Sequence, residues 1–384
     1  MDFQFTEEQK MLKKTMRAFA EGQLKPKAAE WDEKEEVPWE SIKKAAAQQL
    51  FGIIIPTEYG GAGGGIIEII ISLEEIARVC VNTAAYVFSA AGVSQRINYF
   101  GSEAQKKKYL PLIASGQKLA CHAMTEPEAG SDERNISTTA KLVNDHYVVN
   151  GTKCFISRGS VSDIFLLYLK FMETGKHGYL IVERGMPGFS IGKVEKTIGF
   201  RGNPSTELIF NDCKVPKENI LEKSDAKGAL MALNLSRCCN PAMCLGIAQG
   251  AFEAALNYSK VRQQFGREIC EFQGIQWMLA DMYIKLEAAR LLIYRAAVNA
   301  AKGYPSALEA SIAKTYANEA AFEVVNIALQ IHGGYGLSRD FPLERMLRDV
   351  RGFSIAGGTT QIQRIIIASQ LLERKLSQRK KATG

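Results

Sequence analysis

The spacing of apolar positions changes twice along the chain, and each change marks a boundary between predicted structural parts. Up to about residue 115 the spacing is helical, because Met11, Leu12, Met16 and Phe19 recur on one face behind a capping-box pattern at Thr6–Gln9. Further helices are predicted over residues 39–50, 68–81 and 83–100. The first part of the chain is therefore predicted to be helical.

Between about residues 116 and 225 the apolar positions form short runs, which are typical of strands. Asn150-Gly151 separates the runs 146–149 and 153–156, and this dipeptide favours a tight hairpin turn. Other runs cover residues 164–171, 178–182 and 208–210. This stretch predicts a small antiparallel β domain.

Helical spacing returns in the last part of the chain. Long amphipathic segments cover residues 229–261, 271–302 and 307–332, and a final helix follows Gly358. The order of helices, sheet and helices predicts an α+β fold. The predicted domains are residues 1–115, 116–227 and 228–384.

Composition and charge exclude several classes of function. The 384 residues carry a formal net charge of +7, which favours an anionic ligand, but no base-reading motif points to nucleic acid. The basic cluster Arg379–Lys381 is predicted to be a solvated tail, and the apolar run 65–71 is too short and too charged for a membrane span. The absence of a secretory signal and of paired cysteine motifs predicts a cytoplasmic protein with reduced thiols, and the scattered histidines predict no metal site.

Four segments carry candidate chemistry, and each also has a plain structural interpretation. Ala123–Asp132 offers backbone donors and small hydroxyls for a polar heterocycle, or is an ordinary capped loop. Arg262–Arg267 places two arginines around an aromatic ring, which suits a pyrophosphate and an adenine or else a basic helix end. Gln330–Gly336 and Ala356–Gln361 are glycine-rich helix junctions, where an anion or a carbonyl oxygen could approach the backbone.

In this order and at these separations, the segments resemble the acyl-CoA dehydrogenase family. Met124–Asp132 resembles its first signature, Gln330–Asp349 its second, and Arg262–Arg267 and Gly199–Gly202 also match, so that the likeness covers about residues 3–375. The resemblance implies an N-terminal helical domain, a middle antiparallel β domain and a C-terminal four-helix bundle. It also implies a homotetramer, FAD as cofactor, an acyl-CoA thioester as substrate and an electron-transferring flavoprotein or similar acceptor.

The resemblance assigns roles to individual positions of this chain. The implied FAD contacts are Met124, Thr125, Ser131, Phe155, Ser157, Arg262, Phe265, Gln273, Gln330, Gly333, Gly334, Thr359, Thr360 and Gln361. Those from Arg262 to Gly334 match family positions that reach the FAD of a neighbouring subunit. The implied substrate contacts are Ser131, Arg237 and Gly358. Glu126, Asp132 and His332 are expected to order the structure, and Trp277 is expected in the core.

The family's catalytic base is missing. Most members remove the α-proton of the thioester with a glutamate that precedes Gly-Thr at the start of the last helix, and here that position is Gly357. The alternative position for the glutamate, one residue before Arg237, is Ser236. The backbone N–H of Gly357 could still polarise the thioester carbonyl, because an oxyanion donor need not be a side chain.

Three functions are compatible with this absence. The first is the dehydrogenation of a cyclohex-1-ene-1-carboxyl-CoA type thioester by 1,4-elimination, as in the alicyclic branch of anaerobic aromatic degradation. That branch uses an aspartate on the N-terminal helical domain, and the matching position is hypothesised to be Ala91, in a segment without an acid. The second is a 3-sulfinopropionyl-CoA desulfinase-like enzyme, which shares the Ala-Gly-Gly-Thr loop at Ala356–Thr359. The third is a non-catalytic scaffold that binds flavin and CoA.

Overall fold

The computed structural model describes residues 4–300, 303–376 and 378. Its first part is helical, as predicted, and α1 begins at the expected capping box, where the Thr6 hydroxyl and the Gln9 backbone N–H lie 3.2 Å apart. A π-helical stretch, Ala20–Leu24, links α1 to α2. The helices are α1 (Glu7–Phe19), α2 (Lys25–Glu33), α3 (Trp39–Ala47), α4 (Ile66–Ala77), α5 (Val81–Phe100) and α6 (Glu103–Ala114).

The middle part is a seven-stranded sheet with a core of its own. The strands are β1 (Ala120–Ala123), β2 (Thr139–Val143), β3 (His146–Ser157), β4 (Ile164–Phe171), β5 (His177–Glu183), β6 (Phe189–Glu195) and β7 (Ser205–Pro216). They follow the order β1-β4-β2-β3-β7-β6, and β5 pairs with β4. The sheet is mostly antiparallel, as predicted, but β1 and β2 both run parallel to β4.

The hairpin prediction at Asn150-Gly151 was wrong, because both residues lie inside β3. The turn is at Asn144, between β2 and β3, where φ is +56°. Gly151 instead marks a β-bulge against β7, with φ of +142°. A Cβ there would lie 2.5 Å from the Thr138 hydroxyl, so the glycine serves a close backbone approach rather than a turn.

The last part is helical again. Its elements are α7 (Ala226–Ser259), β8 (Gln263–Gln264), β9 (Arg267–Glu268), α8 (Gln273–Val298), α9 (Ala307–His332), α10 (Leu343–Phe353) and α11 (Thr360–Leu371). Helices α7, α8 and α9 pack against one another, and α11 packs on α9. The predicted basic tail, Arg379–Lys381, lies outside the described residues, as do the last two positions of the helix predicted over 271–302.

A buried ionic contact joins the N-terminal and C-terminal helices. The carboxylate of Glu74 on α4 accepts hydrogen bonds from Nε of Arg290 at 3.1 Å and from the hydroxyl of Tyr294 at 3.2 Å, both on α8. One continuous apolar core extends across both helical parts. The two helical parts therefore form a single body that flanks the sheet.

One face of α8 is apolar and exposed. Trp277, expected in the core, is 62% exposed. It lies in line with Ile284, Leu291 and Val298, because positions seven residues apart fall on the same side of a helix. We call these four residues the α8 stripe. Among the described helices, none is long and apolar enough to cross a membrane.

Candidate functional site

A cavity of about 1640 Å³ lies where the three parts of the fold meet. Its walls come from α5, the loop after β1, the end of β3, the first half of α7 and the segment that links α10 to α11. It brings together nine of the positions assigned from sequence: Met124, Thr125, Ser131, Phe155, Ser157, Arg237, Gly357, Gly358 and Thr359.

A second cavity, of about 610 Å³, lies at the end of α9. It is lined by Arg262, Gln330, Gly333 and Gly334. Phe265, in the loop between β8 and β9, is 94% exposed. Gln273 is also exposed, at the start of α8. Within one chain these positions do not line the first cavity, and a contact with a neighbouring subunit's cofactor stays a prediction.

Two further assigned positions lie on the first turn of α11 without lining either cavity. The backbone N–H of Thr360 donates to the carbonyl of Ser354 at 3.1 Å, and its side chain is buried. Gln361 is exposed. His332 lines the second cavity, and its Nδ1 lies 2.9 Å from the carbonyl oxygen of Ala328. The imidazole of His332 stacks on Tyr258, which agrees with the expected structural role.

A buried ion pair holds the loop after β1. Nζ of Lys153, on β3, donates to Glu126 at 2.7 Å and to the carbonyl of Met124 at 3.0 Å. Glu126 also accepts from the backbone N–H groups of Ser137 and Thr138. The cation and these donors lower the pKa of Glu126 to about 2, whereas burial lowers the pKa of Lys153 to about 8. The carboxylate of Glu126 therefore orders this loop, as expected from the sequence.

A second β-bulge aims the end of β3 at the cavity. The register between β3 and β7 shifts between Lys153 and Ile156, and Phe155 in this interval has φ of +53°. Bulges redirect side chains, and here the ring of Phe155 is largely exposed along the cavity wall. Ser157 follows on the same wall.

The position of the missing base is a glycine in a left-handed conformation. Gly357 has φ of +69°, and a Cβ there would lie 3.7 Å from Cε of Lys314 and 4.0 Å from Nδ2 of Asn240. Its backbone N–H donates to no acceptor in the part of the chain described. Among the described residues, the carboxylates that line the cavity are Asp132 and Glu133, at the end of the segment that follows β1. No carboxylate therefore lies at Gly357.

Lys314 is a buried amine beside this glycine that the sequence reasoning missed. Its Nζ donates to the carbonyl of Phe353 at 2.9 Å, and Nδ2 of Asn318 donates to the same oxygen at 2.7 Å. Burial lowers the pKa of Lys314 to about 7. The only sequence signal was a lysine on the alanine-rich face of α9, and its meaning depends on the loop that packs there.

The cavity-facing side of α5 is defined by Ala85, Phe88, Ser89, Gly92 and Arg96, which recur at helical spacing. Ala91 is not on this side: it is buried in the helical core and gives no surface to the cavity. The positions of α5 that line the cavity therefore include Phe88, Ser89 and Gly92, and position 91 is not among them.

Two polar side chains at this end of the cavity were not recognised as functional from sequence. Arg96 is 1% exposed, and its Nη2 has no hydrogen-bond partner among the described residues. His122 on β1 also lines the cavity, and its Nε2 likewise lacks a partner in the described chain. Burial, with the charge of Arg96, holds the pKa of His122 well below its usual range, so that the imidazole is neutral at pH 7.

Comparison with known proteins identifies the family. Three family models match the chain: "Acyl-CoA dehydrogenase, N-terminal domain" at residues 6–117, "middle domain" at 121–213 and "C-terminal domain" at 227–372. Among its relatives, "Acyl-CoA dehydrogenase, short-chain specific" of Clostridium acetobutylicum is 42% identical over 97% of this chain and 100% of its own length.

Two other relatives carry different activities in their names. "3-Sulfinopropanoyl-CoA desulfinase" of Paraburkholderia xenovorans is 40% identical over 99% of this chain and 100% of its own length. "Caffeyl-CoA reductase-Etf complex subunit CarC" of Acetobacterium woodii is 40% identical over 96% of this chain and 100% of its own length. The family is therefore shared by relatives that are named for different reactions of CoA thioesters.

Solved structures agree. Butyryl-CoA dehydrogenase from Megasphaera elsdenii superposes with a TM-score of 0.93 at 36% identity, covering 97% of this chain and all of the other. An acyl-CoA dehydrogenase complexed with FAD from Bacillus anthracis gives a TM-score of 0.89 at 34% identity, covering 96% of this chain and 67% of the other. The chain therefore belongs to the acyl-CoA dehydrogenase family, as one of its FAD-dependent oxidoreductases.

Proposed function

We propose that this enzyme transforms a CoA thioester by a route that does not begin with removal of the α-proton by a carboxylate at position 357. The observation that carries the proposal is Gly357 itself. It has no side chain to accept a proton, and the carboxylates that line the cavity in the described part of the chain, Asp132 and Glu133, belong to a different segment, the one that follows β1. Ser236, the alternative position, also offers no carboxylate.

The residues of the cavity fit FAD. Met124, Thr125 and Ser131 offer backbone and hydroxyl groups on a loop held by the buried Lys153–Glu126 pair, and the ring of Phe155 forms the adjoining wall. When bound there, FAD supplies the acceptor for a hydride. The volume of about 1640 Å³ exceeds that of a typical small-ligand pocket, as a site for a cofactor and a substrate requires.

The backbone at Gly357 retains one catalytic function. Its N–H has no acceptor of its own in the described chain and could donate to the thioester carbonyl, which makes carbon acids of the acyl group easier to deprotonate. Lys314 and Asn318 hold the carbonyl of Phe353, four residues earlier, and so fix the direction of this segment. Arg237 lies on the same cavity and is the candidate contact for the CoA portion.

A cyclohex-1-ene-1-carboxyl-CoA type thioester remains the leading candidate substrate, because its sp² α-carbon has no proton to lose. The proton must then leave the γ-carbon, and this requires a base elsewhere in the cavity. His122 is the candidate, since it lines the cavity and has an Nε2 without a partner in the described chain, although burial and the charge of Arg96 lower its pKa and so weaken it as a base. In this role His122 replaces the aspartate of the alicyclic branch.

Anaerobic bleaching of the flavin separates these possibilities. The FAD-loaded protein should bleach with cyclohex-1-ene-1-carboxyl-CoA, and His122→Gln should slow the bleaching about 100-fold or more while thioester binding is retained. Butyryl-CoA should bind without rapid bleaching. Rapid bleaching by butyryl-CoA would contradict the proposal, because it would require a base for the α-proton. No bleaching by any thioester would favour the non-catalytic scaffold.

Gly357→Glu provides the complementary gain-of-function test. The cavity has room for a Cβ, although φ of +69° makes a side chain there unfavourable by about 1–2 kcal/mol. If the site otherwise retains the family's chemistry, Gly357→Glu should bleach with butyryl-CoA at least tenfold faster than the parent protein. Gly357→Gln is the matched control, since it adds the same bulk without a base.

A desulfinase-like reaction is the second candidate, favoured by the buried cation Arg96 on the cavity wall. Release of sulfite from 3-sulfinopropanoyl-CoA, measured with a thiol-independent sulfite assay, would support it. The absence of sulfite together with bleaching by the cyclic thioester would exclude it.

Assembly and electron transfer are also proposals. The α8 stripe is an apolar surface on a helix, which fits burial between subunits of a homotetramer, as in the family pattern. An electron-transferring flavoprotein is the expected acceptor for the reduced cofactor. Mass measurement in solution tests the first, and reoxidation of the bleached protein by an electron-transferring flavoprotein tests the second.

A further inference from the structure

We propose that the α5 end of the cavity binds an anionic oxyacid group on the far end of the acyl chain, with the guanidinium of Arg96 as its anchor. The α5 end is defined here by Phe88, Ser89, Gly92 and Arg96 on α5 and by His122 on β1. The inference rests on the proposed function and narrows the substrate class to thioesters that carry an oxyanion on a ring or at the end of a chain, a group that unsubstituted cyclohex-1-ene-1-carboxyl-CoA lacks.

The first observation is the unpaired charge. The side chain of Arg96 is 1% exposed, and no carboxylate of the described residues forms an ion pair with it. Its protein contacts are neutral: Nη1 donates to the carbonyl of Gly92 at 2.6 Å, and Nε donates to the hydroxyl of Tyr179 at 3.3 Å. Burial of an uncompensated charge is costly, so a site that keeps one generally pairs it with an anion.

The second observation is the position of the Arg96 side chain relative to the cavity. Nη2 of Arg96 is enclosed without a partner among residues 4–300, 303–376 and 378, and Arg96 lines the cavity. Gly92, one turn earlier, also lines the cavity and has no side chain; a Cβ there would lie 3.5 Å from Nη1 of Arg96. Because position 92 carries no side chain, no Cβ stands in van der Waals contact with Nη1 there. A carboxylate or sulfinate oxygen is the acceptor that a free guanidinium N–H binds most strongly.

Arg158 and Arg237 share part of this pattern, because both are buried, line the cavity, contact a neutral asparagine and keep an Nε without a partner in the described chain, whereas other arginines of the fold pair with carboxylates or donate to carbonyls. Arg290 is paired with Glu74, and Arg78 is paired with Glu253 at 2.7 Å. Arg184 donates to the carbonyls of Ser162 and Gly159 and does not line the cavity. His122 adds a second unpartnered nitrogen to the α5 end, as a neutral donor or acceptor rather than a second charge.

Equilibrium binding to the FAD-loaded protein tests the anchor without relying on turnover. The probes are glutaryl-CoA, which ends in a carboxylate, 3-sulfinopropanoyl-CoA, which ends in a sulfinate, and butyryl-CoA, which is uncharged at that end. The parent protein should bind at least one anionic thioester roughly tenfold or more tightly than butyryl-CoA. The two anionic probes distinguish the carboxylate from the sulfinate.

Arg96→Gln should remove that preference and leave the affinity for butyryl-CoA within about threefold, since one charge-assisted hydrogen bond is lost. Arg96→Lys should keep part of it. Arg184→Gln, which removes a charge away from the cavity, is the matched control and should keep the full preference. Melting temperatures of all three variants show that they are folded.

The outcomes separate this inference from the function on which it rests. If the parent protein binds all three thioesters equally, or if Arg96→Gln keeps the preference, the anchor is overturned and the proposed function stands. If butyryl-CoA and the anionic thioesters all fail to bind, both are overturned. A preference for an anionic thioester that is lost only in Arg96→Gln supports the anchor.

Discussion

The loop after β1, which carries candidate FAD contacts, depends on one buried amine, that of Lys153. Lys153→Met keeps the length of the side chain but removes the cation, and leaves the carboxylate of Glu126 buried with only hydrogen-bond donors around it. Removal of one partner from a buried pair costs about 3–5 kcal/mol of unfolding free energy. The carbonyl of Met124 also loses its donor, so we expect weaker FAD binding as well.

The two pKa shifts of the pair give the magnitude and the pH dependence. Lowering the pKa of Glu126 from 4.5 to about 2 corresponds to about 3 kcal/mol in favour of the carboxylate. This contribution is present above the unfolded pKa and is lost as the pH falls toward 2. Lowering the pKa of Lys153 from 10.5 to about 8 corresponds to a similar amount against the charged amine. The two contributions to the unfolding free energy therefore nearly cancel, whereas either buried charge without its partner is destabilising.

Lys153 also predicts a change in the alkaline range. Between about pH 8 and 10.5 the unfolded chain holds a proton that the folded chain has lost, so this residue makes stability rise with pH across that window. Lys153→Met should abolish that rise.

Urea unfolding of the full chain, followed by circular dichroism, measures the effect. We expect Lys153→Met and Glu126→Gln to be destabilised separately and the double variant to recover most of the loss, because it leaves no unpaired charge. FAD dissociation constants provide a second readout at the loop itself. The reasoning would be refuted if the unfolding free energy of Lys153→Met lay within about 1 kcal/mol of the parent's. It would also be refuted if the loss in the double variant equalled the sum of the two single losses.

Three further predictions concern other parts of the fold. Gly151→Ala should lower the unfolding free energy by about 2–4 kcal/mol in urea titrations, because its Cβ would collide with Thr138, just before β2, whereas Gly175→Ala, at φ of +66° in open space, should cost about 1 kcal/mol. Ile284→Asp, in the α8 stripe, should lower the molecular mass measured by light scattering, whereas Met11→Asp, equally exposed on α1, should not; an unchanged mass would exclude the stripe as an interface. Burial raises the pKa of Asp349 to about 6, above its unfolded value of 3.8, so its contribution is present below the unfolded pKa and is lost as the pH rises through 6. Asp349→Asn should remove that slope from a plot of melting temperature against pH.

Local sequence patterns were sufficient to predict those elements whose structure depends on residues close together in the chain. The capping box at Thr6 begins α1 as predicted, and α9 spans the predicted 307–332, because capping and helical periodicity involve residues three or four positions apart. The resemblance of the signature segments led to the family, the fold and FAD. It also identified the missing base, since the absence of a side chain at Gly357 is visible in the sequence alone.

Tertiary packing decided the features that depend on distant segments. Asn150-Gly151 has the composition of a turn, but the approach of Thr138 makes it a bulge within β3. Trp277 has core spacing, yet its side chain and the α8 stripe are largely exposed in the part of the chain that the structure describes. Arg96 is read from sequence as one more cation. It becomes an unpaired charge because its contacts, the hydroxyl of Tyr179 on β5 and the carbonyl of Gly92, are neutral and no carboxylate of the described residues pairs with it. Burial cannot be read from a residue's sequence neighbours.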